Sequence, residues 1–131
     1  MKFYYGIVLA GVATLLFSGC AATKTAPTAK AQHIETGQQE EVVIAPSSFY
    51  EACEKLSPGQ QVEFSFTGSK PVDFDVHYYT AEGIHYPVRE ENVTSKSGGF
   101  TAEIKASHCC MWTNKHPVPV SLTYEFKRVE K

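Results

Sequence analysis

The sequence predicts an all-β fold: a small antiparallel β-sandwich with one short N-terminal helix, preceded by a signal peptide and a flexible tether. Three observations carry that reading. Apolar residues alternate with polar ones at Val62, Phe64 and Phe66, at Phe74, Val76 and Tyr78, and at Val120, Leu122, Tyr124 and Phe126, the period-two pattern of half-buried strands. Turn-forming clusters, among them Gly68-Ser69-Lys70-Pro71, Glu82-Gly83, Ser97-Gly98-Gly99 and Asn114 to Pro119, separate these runs, and short strands at such spacing argue for a sandwich. A chain of 131 residues fits one domain, and no internal repeat is present.

The chain opens with Lys2, then an uncharged, mostly apolar run from Phe3 to Phe17, then Ser18-Gly19-Cys20. This is the layout of a secretory signal peptide with small residues at the cleavage point. The run falls short of the about 20 apolar residues that a membrane-spanning helix needs, which leaves a plain signal anchor as the alternative. Leu16-Phe17-Ser18-Gly19-Cys20 resembles the lipobox of bacterial lipoproteins, although Phe17 stands where that pattern prefers an aliphatic residue. The resemblance implies that residues 1–19 are removed and that Cys20 carries diacylglycerol. Several acyl chains then hold the protein stably where one would hold it only marginally. Ala21, rather than Asp, after the cysteine implies the outer membrane, with the protein in the cell envelope facing the periplasm.

Residues 20–45 read as a linker. They are rich in Ala, Thr, Lys, Gln and Glu, and too poor in large apolar side chains to offset the entropy of ordering. Val42-Val43-Ile44 reads either as an added edge strand or as a sticky end of this tether. The folded domain is expected over 46–131. Ser48-Phe49-Tyr50-Glu51 has the form of a capping box, and Phe49, Cys53 and Leu56 follow at helical spacing, so a short helix is expected there, stopped at Ser57-Pro58-Gly59. Strands are expected over the alternating runs, with a return strand at Ile84 to Val88, another through Phe100, Ala102 and Ile104, and a further one from His108 to Thr113.

Charge excludes one class of partner. Removing residues 1–19 takes away Lys2 and no acid, leaving 11 Lys plus Arg against 14 Asp plus Glu, a net charge of −3. Without a basic patch or run, nucleic acid is not an expected partner.

Phe49-Tyr50-Glu51, Pro58-Gly59-Gln60-Gln61-Val62-Glu63-Phe64, Asp73-Phe74-Asp75-Val76, Gly99-Phe100-Thr101-Ala102 and Met111-Trp112-Thr113-Asn114 together resemble a GOLD-type domain. That is the lumenal β-sandwich of the emp24/p24 cargo-receptor proteins, and the resemblance spans Ser48 to Phe126. It implies a non-catalytic sandwich that binds proteins or lipids. The p24 proteins carry a coiled coil and a C-terminal membrane span after this domain, neither of which is expected here. Ser48 and Met111 stand where their disulfide cysteines would be, so a disulfide carries over only by analogy.

With Cys20 lipidated, Cys53, Cys109 and Cys110 remain, an odd number for an oxidising compartment. Neighbouring residues of a strand point to opposite faces, so Cys53 pairs with Cys109 or with Cys110. Cys109 is favoured, because Cys110 shares its parity with Trp112. The leftover thiol, with His77, His108 and Met111, makes a thiolate, imidazole and thioether set suited to Cu(I). Parity groups Cys109 with Met111, or His108 with Cys110. Copper is therefore the alternative to a site with no cofactor. No phosphate-binding Gly-rich loop, nucleophile elbow or His-Glu-x-x-His motif occurs, so no enzyme is expected. The reading is a lipid-anchored binding module for a protein, lipid or envelope component.

Overall fold

A computed structural model describes Gln32–His33 and residues 37–129. The signal segment 1–19, the lipidation site Cys20 and the adjoining part of the tether lie outside the described residues. The strands are β1 (Gln32–His33), β2 (Gln39–Ile44), β3 (Ser48–Leu56), β4 (Gln61–Thr80), β5 (Gly83–Thr101), β6 (Ala106–Asn114) and β7 (Val120–Val129). They run in the order β1-β3-β6-β4-β7-β2, with β5 also alongside β4. Every pairing is antiparallel except β1 with β3.

The sheet becomes a sandwich because β4 changes partner along its length. Gln61 to Gly68 pairs with β7, and Asp73 to His77 pairs with β6. The corner between them sits at 68–72, where the register with β5 shifts. At Gly68 a Cβ would stand 2.7 Å from the Lys70 carbonyl oxygen, so only glycine fits the bend. Pro71 has no N–H to give to a ladder. On β5 the corner is met by Asn92 at φ 56°, whose N–H donates to Asp73 Oδ1 at 3.0 Å. The expected turn at 68–71 is thus a bend within one strand rather than a reversal, and Ser97-Gly98-Gly99 likewise lies inside β5. The expected reversal at Glu82-Gly83 is present, with Thr80 opposite Gly83.

Two layers result. One is β3-β6-β4-β5, using the second half of β4 and the first half of β5; the other is β2-β7-β4-β5, using the remaining halves. Rings fill the space between them. Tyr50, Trp112 and Phe74 stand in register across the first layer, and Phe66 faces Tyr124 across the second. Trp112 lies 5.5 Å from Phe74, 5.8 Å from Phe66 and 4.8 Å from Tyr124 between ring centroids, so it bridges both layers. Tyr124 O–H donates to Glu40 Oε2 at 2.8 Å and lies 2.9 Å from the Tyr50 hydroxyl, carrying the aromatic stack to β2.

Further expectations are corrected: the return strand at Ile84 to Val88 and the strand through Phe100 are one strand, β5, which ends at Thr101 before Ala102 and Ile104. Residues 48–56 are a strand, not a helix, paired with β6 along all nine residues. Tyr50, Ala52, Glu54 and Leu56 point inward. The acid at the third of these positions masks the period-two pattern, while Phe49, Cys53 and Leu56 mimic a helical stripe. Glu54 is tolerated inside because Arg128 of β7 forms an ion pair with it, its guanidinium also donating to the Lys55 carbonyl at 3.2 Å. The folded part also begins before residue 46. Gln39–Ile44 pairs with β7, and Ile44 is 2% exposed. Burial of that side chain resolves the choice between strand and tether in favour of the strand.

Because Trp112 touches rings of both layers, Trp112→Ala is expected to cost about 3–5 kcal/mol, a large share of the about 5–15 kcal/mol typical of a domain. Urea unfolding followed by circular dichroism measures it.

Candidate functional site

Alternation in the first layer leaves a second set of side chains facing outward. Glu51, Met111, Asp75 and Arg89 form one row across β3, β6, β4 and β5. Cys53, Cys109 and His77 form the next. The first two of these are joined by a disulfide, with Cα atoms 4.0 Å apart, and Cys110 is the free thiol among the described residues. The bond links strand to strand rather than helix to strand.

His77 is the centre of this face. Although it points away from the core it is only 2% exposed. Its Nδ1 lies 2.7 Å from Asp75 Oδ1 and its Nε2 3.0 Å from Glu51 Oε1. With an acceptor at each nitrogen the ring serves as a doubly donating imidazolium. The bond from Asp75 is the largest influence holding its pKa above the usual histidine value; burial opposes it, and the charges of Asp75 and Glu51 add to it. Tyr79 meets the ring edge-on at 5.5 Å and Tyr86 lies at 6.0 Å. The Arg89 guanidinium sits 4.9 Å over the Tyr86 ring, a cation–π contact. Tyr79 is 66% exposed and Tyr86 40%, and Ile84, also exposed, pairs opposite Tyr79. A buried charged clamp thus sits beneath an open aromatic rim.

The four residues suited to copper are not brought together. His77 and Met111 face outward, whereas His108 and Cys110 face the core. His108 Nδ1 donates to the Ala106 carbonyl at 3.2 Å, and the ring packs between Tyr78 and Phe100. Burial lowers its pKa, so it is a neutral core imidazole. The Cys110 thiol is fully buried, and burial above all, with the Asp75 charge adding, pushes its pKa well up. A protonated core thiol is neither a metal ligand nor a nucleophile. His116 in the 114–119 loop donates from Nε2 to the Pro71 carbonyl at 2.7 Å, tying that loop to the β4 corner.

Glu51, Asp75, Tyr79, Tyr86 and Arg89 were not legible as a site. The alternation of Asp73, Asp75, His77 and Tyr79 places these on one face of β4. The partner carboxylate Glu51 was hidden by its apparent role as a helix cap. Asn114 is a second such residue. It is fully buried, its Nδ2 lies 2.8–3.1 Å from the carbonyl oxygens of Ile44, Ala45 and Val118, and its Oδ1 accepts from His116 N–H.

No family model matches the chain, and no curated protein matches its sequence. Solved structures share the fold. The chain is similar to the pre-peptidase C-terminal domain of collagenase from Bacillus anthracis, with a TM-score of 0.60 and 8% identity over 79% of this chain and 100% of that one. It is also similar to PliG of Aeromonas hydrophila, a periplasmic inhibitor of g-type lysozyme, with a TM-score of 0.51 and 13% identity over 70% of this chain and 87% of that one. PirA gives 0.51 and 12% over 71% and 96%. At these identities the likeness is one of fold.

Two outcomes are expected from this geometry. The His77 pKa is raised on folding from an unfolded value of about 6.5, so the clamp contributes fully below that pH and its contribution is lost as pH rises through the folded value. His77→Gln should remove that slope and cost about 1–3 kcal/mol on the acid side, read from urea midpoints across the neutral range. Replacing Cys53 and Cys109 together by Ala, which frees a loop with a sequence separation of 56, should cost up to about 4 kcal/mol in the same assay.

Proposed function

We propose that this chain is an exported lipoprotein, anchored through Cys20, whose sandwich is a non-catalytic module that binds a protein of the cell envelope. The observation that carries the binding reading is the outward face of the β3-β6-β4-β5 layer. Tyr79 and Tyr86 stand open there, with Arg89 on the second ring and Met111 in the neighbouring row. Tyr, Met and Arg are the side chains enriched at protein interfaces, and Tyr and Arg recur among the residues that dominate binding energy. The clamped His77 and the Cys53–Cys109 bond stiffen the strands beneath, which limits the ordering cost of association.

Three lines support the wider reading. The resemblance to GOLD-type domains implies binding rather than catalysis. PliG, similar in fold, is an inhibitor of another protein, g-type lysozyme. The lipobox-like stretch ending at Cys20 and the acidic net charge favour an envelope partner over nucleic acid. Ala21 favours the outer membrane.

Protein isolated from membranes of its own host should show, by mass spectrometry, an acylated N-terminal Cys20, and Cys20→Ala should move the chain to the soluble fraction. Cross-linking in intact envelopes should trap a partner with the native chain and lose it, by at least about tenfold, in Tyr79→Ser/Tyr86→Ser. Equal trapping by that variant would remove this face from consideration. An unmodified, uncleaved amino terminus would remove the lipoprotein assignment.

A further inference from the structure

The disulfide row and the neighbouring row together hold more ligand atoms than a structural cross-link uses. Glu51 offers a carboxylate oxygen, and that atom and the two sulfurs of Cys53 and Cys109 all lie within 4.8 Å of one another. His77 Nε2 is 3.0 Å from Glu51 Oε1, and His77 is the register partner of Cys109. Two sulfurs and one carboxylate oxygen therefore converge on the outward side of β3 and β6, and the imidazole nitrogen of His77 reaches that group through Glu51. The fourth element of the layer, β5, adds Arg89 beside Asp75 and the Tyr86 ring, neither of which is needed as a ligand.

We propose that, when the Cys53–Cys109 bond is reduced, Cys53, Cys109, His77 and Glu51 form a closed tetrahedral Zn(II) site, so that the disulfide is a redox gate on metal binding. The donor set is that of zinc: thiolate sulfur at about 2.3 Å, imidazole nitrogen at about 2.0 Å and carboxylate oxygen at about 2.0–2.2 Å. Those bond lengths give nitrogen-to-oxygen edges of about 3.3 Å in a tetrahedron, close to the present Nε2–Oε1 separation of 3.0 Å. The ion would take the place of the proton now shared there. Asp75 would keep its bond to Nδ1–H, and a carboxylate on the far nitrogen is the usual support of a metal-bound histidine.

The chemistry balances in two steps. A dithiol reductant delivers two electrons and two protons, becoming a disulfide while Cys53 and Cys109 become thiols. Zn(II) then binds as both thiols and His77 Nε2–H release their protons to solvent. In the oxidised protein each sulfur is bonded to the other and neither is a thiolate, so the site is closed to metal. This inference does not depend on the binding-module reading, because its ligands lie beneath the aromatic rim.

Titration of the full chain in detergent, oxidised or reduced anaerobically with a phosphine, tests it with Co(II) as a spectroscopic stand-in and Zn(II) in competition. Reduced protein should bind one equivalent of Co(II), with the thiolate charge-transfer and intense visible bands of a tetrahedral site, and release it to Zn(II). Oxidised protein should show neither band. Glu51→Gln and His77→Gln should each weaken Co(II) binding at least about tenfold, and Cys110→Ala should leave it unchanged. Equal binding by oxidised protein, loss of binding in Cys110→Ala, or no effect of the Glu51 and His77 substitutions would each overturn the proposal. Should reduction unfold the chain, one equivalent of Zn(II) must restore the β-sheet circular dichroism, and failure to do so would overturn it equally.

Discussion

The structure depends on a single strand belonging to two layers. β4 pairs with β7 over its first half and β6 over its second, so one continuous backbone carries the hydrogen-bonded edge from one side of the core to the other. Side chains on a strand alternate between faces, and the bend at Gly68 keeps Val62, Phe64 and Phe66 facing Phe74 and its neighbours across the interior. Phe74 lies within 5 Å of both Phe64 and Phe66. The hairpin partner β5 follows the same course with a bulge at Asn92, leaving a long outer strand whose other edge pairs with no strand among the described residues. Pro87, Arg89, Glu90, Glu91 and Lys96 along it suit an edge that resists pairing with another chain.

The outward face of the first layer follows from the same register. Because Cys109 lies between Cys53 and His77 in one row, and Met111 between Glu51 and Asp75 in the next, the disulfide, the imidazole and both carboxylates are forced into one cluster. Burying an imidazolium is costly unless it is paired. Here each ring nitrogen has a carboxylate, one from its own strand and one from two strands away. The arrangement ties β3 to β4 across β6 by a covalent bond and by charge. It gives the aromatic rim of Tyr79 and Tyr86 a stiff floor.

How much of this was legible in the sequence differs by element. The runs around Val62, Phe74 and Val120 read as strands because their inward positions are uniformly apolar. β3 did not, because Glu54 occupies an inward position and finds its cation, Arg128, at the far end of the chain. The Cys53–Cys109 pair was open to parity reasoning on β6 alone, since Trp112 fixes which face of that strand is the core. Parity likewise separates His108 and Cys110 from Met111, yet it says nothing of which residues on other strands share a face.

The sequence by itself determined the all-β class and the inward or outward sense of most side chains, because period-two patterning is a local property. Tertiary structure alone decided that β4 runs unbroken through both layers, that residues 39–44 join the fold, and that Glu51 meets His77. Those outcomes rest on contacts between residues distant along the chain: Gly68 folding back on its own strand, Ile44 entering a core built by β7, and a register between β3, β6 and β4. No local pattern encodes such a register, since it is chosen by the packing of the whole interior.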